Sequence, residues 1–367
     1  MMKATCLRRI SFVAVSMFIF LFALDKTVAQ TGPYLGQEPP GFTPELFAPE
    51  IFPRALELHS PTIFSPEGTE VYYSPMDGPP NEIMYMRMES DGSWTQPQLA
   101  PFSSEYGSGD PTFSPDGERL YFLSWHPLIE GGPTDKENIW YVQRQGGSWS
   151  EPQSVGDEVN RYIVHWEVSV DSAYNLYFGG SPLDQEEWDI YCSEYVDGCY
   201  MAPIRMSESI NTEQYEATPF IAPDGSYLIF NRVNMVQSGY ADLYISYKNE
   251  DGTWSTARNV GETINTNLHE LYPVVTVDGK YLFLLSNRDY VSRTYWVDAQ
   301  VLSEDFRCNN ADCNEDGSVD VLDALWEVNC ILGTAQTPCG CDYNQDGKSD
   351  ILDVLGIVNI VLEGFCP

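Results

Sequence analysis

"PTFSPDGERLYFLS", Pro111 to Ser124, reads as one hairpin. An extended segment runs into Pro115-Asp116-Gly117, and the apolar run Leu120-Tyr121-Phe122-Leu123 leads out. The Asp-Gly pair supplies the positive φ that a tight turn between antiparallel strands requires. The chain repeats this line as "TIFSPEGTEVYYS" from Thr62, "WEVSVDSAYNLYFGG" from Trp166, "PFIAPDGSYLIFNR" from Pro219 and "PVVTVDGKYLFLLSNR" from Pro273. The equivalent apolar positions Val71, Leu120, Leu176, Leu228 and Leu282 are spaced by 49, 56, 52 and 54 residues. A period near fifty, with one supersecondary unit per period, is the mark of a repeat architecture.

Each copy continues in the same way. A third strand follows the hairpin ("EIMYMRM", "NIWYVQR", "DIYCSEY", "DLYISYK", and "TYWVDAQV" in the fifth copy). A second turn then leads to Trp94, Trp149, Tyr200 or Trp254. Four short strands per unit make a propeller blade. The fifth copy lacks the closing turn and aromatic residue. The segment "GFTPELFAPEIF" from Gly41 is in step with the repeat, since Phe42 lies 52 residues before Trp94. The expected fold is therefore all-β, a five-bladed propeller over residues 30–304 whose N-terminal strand closes the ring. Closure removes the sheet edges that invite aggregation. The third copy departs at Asp171-Ser172-Ala173, which predicts a wider turn. Cys192 and Cys199 flank "SEYVDG", which predicts a cross-strand disulfide.

The repeated "FSPDGxxLYF", with "DIY" and "DGxW" behind it, resembles the TolB-like, WD-like β-propeller repeat of bacterial exported proteins, over roughly residues 40 to 300. The resemblance implies the fold and leaves the activity open, because propellers host binding proteins, peptidases, lyases and glycosidases alike.

The first 29 residues read as a secretory signal: Lys3, Arg8 and Arg9, an apolar run from Ile10 to Leu24, then Thr27-Val28-Ala29. The expected location is extracellular, with no membrane span after cleavage. Removing Cys6 leaves eight cysteines, an even number suited to an oxidising compartment. Six of them, Cys308, Cys313, Cys330, Cys339, Cys341 and Cys366, fall in the last 60 residues and allow 15 pairings, among which the sequence does not choose. A net charge of −35 argues against nucleic acid and anionic membrane surfaces as partners.

No HExxH, GxSxG or nucleotide-binding loop occurs. The recurring aromatic residues read as blade packing. The candidate catalytic residues lie just before the first strand of each hairpin, where a propeller lines its channel: His59, Glu216 and Glu270, with Asp110, His165 and Glu167 close by. Paired carboxylates there could serve glycoside hydrolysis. The plainer reading is of polar residues facing a wet tunnel. Asp189 and Asp242 read as turn caps.

The pattern changes after Ser303. "DCNEDGSVDVLD" (312–323) and "DYNQDGKSDILD" (342–353) place oxygen ligands at positions 1, 3, 5, 7, 9 and 12, with glycine at 6, as a calcium loop of the EF-hand kind needs. The first set is Asp312, Asn314, Asp316, Ser318 through its carbonyl, Asp320 and Asp323. The second is Asp342, Asn344, Asp346, Lys348 through its carbonyl, Asp350 and Asp353. Two Ca2+ ions are expected, since this many oxygen ligands suits calcium better than magnesium. A helical apolar pattern follows each loop. Two such loop–helix units thirty residues apart resemble a type I dockerin, over residues 305–367. The resemblance implies calcium-dependent folding and docking onto a cohesin-type module. Dockerins of this kind place small hydroxyl residues at loop positions 10 and 11. Here Val321-Leu322 and Ile351-Leu352 stand there, and they are the expected partner-binding residues. The sequence thus reads as a secreted propeller that binds glycan or protein and is anchored by a dockerin, in the setting of polysaccharide degradation. A carbohydrate-active hydrolase with its site in the channel and a structural cell-surface component are the alternatives.

Overall fold

The structure, a computed structural model, describes residues 31–303 except 54, 77–81, 104–105, 183–187 and 234–239, and beyond them 308, 310–314, 317–333, 341–343 and 348–363. For residues 164–166 and 363 it describes the backbone alone. The secretory signal falls outside these residues.

Five antiparallel sheets built on four strands each follow one another along the chain, the second with Ser148–Trp149 as an added fifth strand. Blade one is Ile63–Phe64, Glu70–Tyr73, Met84–Arg87 and Gln98–Leu99. Blade two is Ser108–Phe113, Arg119–Ser124, Asn138–Gln145 and Gln153–Ser154. Blade three is Tyr162–Val170, Leu176–Pro182, Asp189–Ser193 and Ile204–Arg205. Blade four is Tyr215–Ile221, Tyr227–Val233, Ala241–Tyr247 and Arg258–Asn259. Blade five takes Glu270–Val275, Tyr281–Ser286 and Arg293–Asp298 from the end of the repeat array and Glu45–Leu46 from its beginning. Glu45 pairs with Trp296 and Leu46 with Tyr295, so the N-terminal strand closes the ring.

The core lies between blades rather than within them. Tyr72 of blade one packs with Leu120 and Phe122 of blade two. Tyr121 of blade two packs with Val168 and Phe178 of blade three, and Tyr177 of blade three with Leu228 and Phe230 of blade four. Phe283 and Trp296 of blade five complete the circle against Val71 and Tyr73. The recurring aromatic residues serve these seams: Trp149 donates to the Tyr72 hydroxyl across a blade boundary at 2.9 Å, and the hydroxyls of Tyr200 and Tyr121 meet at 2.7 Å.

The turn chemistry follows the sequence. Gly68, Gly117, Gly225 and Gly279 take φ between 68° and 73°. In the third copy Tyr174 takes the left-handed position at φ 65°, and Asp171 holds the wider turn by accepting from the backbone of Ala173 and Asn175. One expectation is corrected. Cys192 and Cys199 are not bonded to each other. Register explains it: Cys199 faces Val196 in its hairpin, whereas Cys192 lies opposite Tyr177 and Ile204 in blade three. Burial pushes the Cys192 thiol up to about 11.

Two helices, Val321–Ile331 and Ile351–Glu363, pack on each other beyond the propeller. They share a small core of Ala311, Ala324, Cys341, Ile357 and Ile360. A disulfide joins Cys313 to Cys341, and Cys308 and Cys330 are disulfide-bonded as well. No helix among the described residues is long and apolar enough to cross a membrane.

Candidate functional site

The C-terminal loops are built around buried carboxylates. Asp320 caps the first helix, accepting from the backbone of Leu322, and Asp323 accepts from the backbone of Asp320 at 2.8 Å and of Asn314 at 3.1 Å. Asp312 accepts from the backbone of Gly317, whose φ of 86° only glycine adopts without strain. The second loop repeats the plan: Asp353 accepts from Asp350 and Asp350 from Leu352. Asp323 and Asp353, at position 12 of each loop, are both fully buried. A helix N-terminus favours a carboxylate, and the oxygens gathered in both loops are of the kind a hard cation takes. This donor set, all hard oxygen, fits calcium. Asp316, Asn344 and Asp346 of the expected ligand set lie outside the described residues. Val321, Leu322, Ile351 and Leu352 stand 49–59% exposed and form matching apolar pairs on the two helices.

In the propeller the inner strands of neighbouring blades touch around the axis. Four of the five bulge there, with register shifts at 109/112, 164/168, 217/220 and 271/274. Counting three residues back from the positions paired with Val71, Leu120, Leu176, Leu228 and Leu282 gives Pro61, Asp110, Glu167, Thr218 and Tyr272, one per blade. Asp110, Thr218 and Tyr272 all take left-handed φ, 44° to 51°. Non-glycine residues hold such angles only where the surroundings enforce them.

The structure separates the candidates that the sequence grouped. Glu216 lies opposite Arg232 and is bonded to it at 2.6 Å, with Thr212 donating from both its backbone and its hydroxyl. Glu270 accepts from Thr266 in the same way, and has Ser286 opposite it donating at 2.7 Å and Arg288 at 3.6 Å. Glu70 has Arg87 and Arg144, and Asp189 has Arg205. Asp242 accepts from Asn259. His59 instead joins Asp110, Nδ1 to Oδ1 at 2.8 Å. The Asp110 carboxylate holds the His59 imidazole up to about 9. Burial, and then the same carboxylate, lift Glu137 to about 7 and Glu167 well above the usual range. Glu137 was not among the sequence candidates, because it sits in the loop before the third strand and not in the repeat line. The side chain of His165 lies outside the description. At the opposite end of the channel a cavity of about 460 Å3 is lined by Phe64, Phe113 and Phe220 and flanked by Pro33, Tyr34 and Gln37 of the N-terminal segment.

Residues 310–362 match the model of the dockerin type I domain. Type I dockerins are calcium binders that dock onto cohesins, so the C-terminal region of this chain is similar to a cohesin-binding assembly module. No curated protein matches the chain. Among solved structures it is similar to TolB from Acinetobacter baumannii (12% identity, 65% of this chain and 56% of that one, TM-score 0.40). It is also similar to an endo-arabinase from Bacteroides thetaiotaomicron (12%, 67% and 95%, 0.44) and to a hydrazine synthase from Kuenenia stuttgartiensis (13%, 66% and 78%, 0.41). At such values these likenesses carry no argument about what the propeller does.

Proposed function

We propose that this is a secreted binding protein whose propeller recognises a glycan or protein ligand, and whose dockerin, holding two calcium ions, docks it onto a cohesin-bearing scaffold. The observation that carries the reading is the pair of acidic loops, each closed on a fully buried aspartate, that present Val321-Leu322 and Ile351-Leu352 to solvent. These apolar pairs call for an apolar cohesin face in place of one that hydrogen-bonds hydroxyl groups. In the propeller, Glu216 and Glu270 are each paired with an arginine, which argues against these two as the carboxylate pair of a glycoside hydrolase.

The test is a binding titration of the full chain against a panel of cohesins, with calcium and with EDTA. Binding is expected in calcium only, and Leu322→Ser with Leu352→Ser should weaken it by more than tenfold. Binding that persists in EDTA, or that ignores the double substitution, would overturn the docking reading. Screening the propeller on glycan and protein arrays beside a polysaccharide hydrolysis panel tests the rest, with hydrolysis as the contrary outcome.

A further inference from the structure

The last residue of every inner strand lines the cavity at the far end of the channel: Phe64, Phe113, Val170, Ile221 and Val275. Its volume of about 460 Å3 falls within the roughly 300–1,000 Å3 of small-molecule pockets. Its walls are chiefly apolar, built of aromatic rings, branched aliphatic side chains and the prolines of the hairpin turns. Tyr34 closes one side, its ring 5.2 Å from that of Phe64 and 5.1 Å from that of Tyr281. Tyr34 and Leu35 take left-handed φ of 49° and 56° in succession, which residues with side chains keep only where the surroundings enforce it. The polar groups on the walls divide into spent and unspent. Gln37 spends its amide on Leu46 and Ala48, and the Thr276 hydroxyl donates to Asp278. Glu67, Asp278 and Lys280 are exposed and stand at the rim, with Lys280 held by Asp278 at 2.8 Å. Ser65 and Ser169 accept from the backbone of Glu70 and Ile221, and find no acceptor for their own protons among the described residues. Thr112 is 8% exposed, and its hydroxyl makes no hydrogen bond among them. A buried hydroxyl left unpaired is uncommon enough to need a reason.

We propose that this cavity is a binding site for a small neutral aromatic compound that carries a carbonyl or ether oxygen. The site goes beyond the recognition of glycan or protein by the propeller and does not rest on it. The ring of the ligand enters among Phe64, Phe113 and Phe220, whose edges and faces favour another ring. The hydrogen-bonding capacity left on Ser65, Thr112 and Ser169 includes a donor on each, so the ligand brings an acceptor. These hydroxyls belong to blades one, two and three, which sets the side of the cavity that the oxygen faces. A charged ligand fits poorly. Among the described residues lining the cavity the one cation is Lys280, which Asp278 already holds, and the chain as a whole carries −35. An organic cation would meet carboxylates only at the exposed rim. A sugar is also a poor fit, because it brings a hydroxyl on nearly every ring carbon to apolar walls, and each one left unpaired costs affinity. The strained turn at Tyr34-Leu35 then has a use: with Leu35 buried as its anchor, it holds one wall in place before the ligand arrives.

The test is equilibrium dialysis of the full chain, in excess calcium, against 2-acetonaphthone, 2-naphthoate and 2-ethylnaphthalene, followed by their ultraviolet absorbance. The three compounds are nearly the same size and differ in the group on the ring: a neutral acceptor, an anion and a hydrocarbon. The ketone should bind with one site per chain. The anion should bind more weakly by about tenfold or more, since it meets no free cation in an apolar cavity. Thr112→Val keeps the shape of the side chain and removes the hydroxyl. It should weaken the ketone by about fivefold, the effect of one neutral hydrogen bond, and leave the hydrocarbon's affinity as it was. The same substitution should leave the thermal midpoint of the free protein unchanged or higher, whereas a hydroxyl that served only the fold would lower it on removal. Methyl glucoside in large excess should not displace the ketone. Absence of ketone binding, a naphthoate bound as tightly as the ketone, ketone affinity untouched by Thr112→Val or lost equally with that of the hydrocarbon, a lowered midpoint, or displacement by the sugar would each overturn the proposal. None of these outcomes bears on the array screens, which test recognition of glycan or protein separately.

Discussion

His59 shows how one residue ties the stability of the propeller to pH. Its imidazole is held up to about 9 chiefly by Asp110, against an ordinary value near 6.5. The folded protein therefore keeps a proton that the unfolded chain gives up. The stabilisation is complete below about pH 6.5 and is lost as pH rises towards 9. Glu137 acts in the same direction at lower pH. Its carboxyl titrates near 7 when folded, so that contribution is present below about pH 4.5 and lost by about pH 7. The propeller's thermal midpoint should fall as pH is raised from 6.5 to 9, and His59→Gln should flatten that part of the curve. Calorimetric scans at pH 6, 7.5 and 9 check this. An unchanged slope in the variant would place the titration elsewhere.

At the scale of the element, the segment that closes the ring carries more than its two strand residues suggest. Phe47 is 1% exposed and packs edge-on to Phe64, Phe283 and Trp296, which come from blades one and five. Phe47→Ala should cost about 3–5 kcal/mol, as for other buried aromatic residues. Denaturant titration measures it, and a loss below about 1 kcal/mol would mean that the last blade holds without the N-terminal segment. The blade count and this closure were legible in the sequence because the apolar period and the Asp-Gly turns recur in register. The channel mouth was less so. Apolar periodicity says which face of a strand is inward but not which arginine crosses to which carboxylate. Glu216 and Glu270 thus read as candidates with no sign in the sequence of the arginines that stand beside them, Arg232 and Arg288. Glu137 lies in a connecting loop that the repeat does not mark. Cys192 and Cys199 failed for the same reason, since hairpin register decides the partner and sequence separation does not.

Over the whole molecule, charge makes the two parts respond differently to calcium. The chain carries −35, and from Asp305 onward 12 acidic residues face only Arg307 and Lys348. Unscreened repulsion opposes the compact state of so acidic a module, and the small core around Ile357 and Ile360 is a modest counterweight. The Cys313–Cys341 bridge spans 28 residues and should recover about 3–4 kcal/mol by restricting the unfolded chain. On the proposed reading calcium supplies the remainder, and binding and folding of this region should be coupled. The propeller has five interlocked seams and ion pairs of its own, and its folding should not depend on calcium. Heating the full chain should therefore show two transitions. EDTA should abolish the helical one while leaving the β transition in place, and reducing the disulfides should sharpen the contrast. Asp323→Ala should mimic EDTA for its own loop. Circular dichroism near 222 nm follows the helices, and near-ultraviolet dichroism follows the propeller's aromatic seams. Full helical signal in EDTA with the disulfides reduced would show that the acidic loops fold without metal. The charge argument would then fail along with the calcium one.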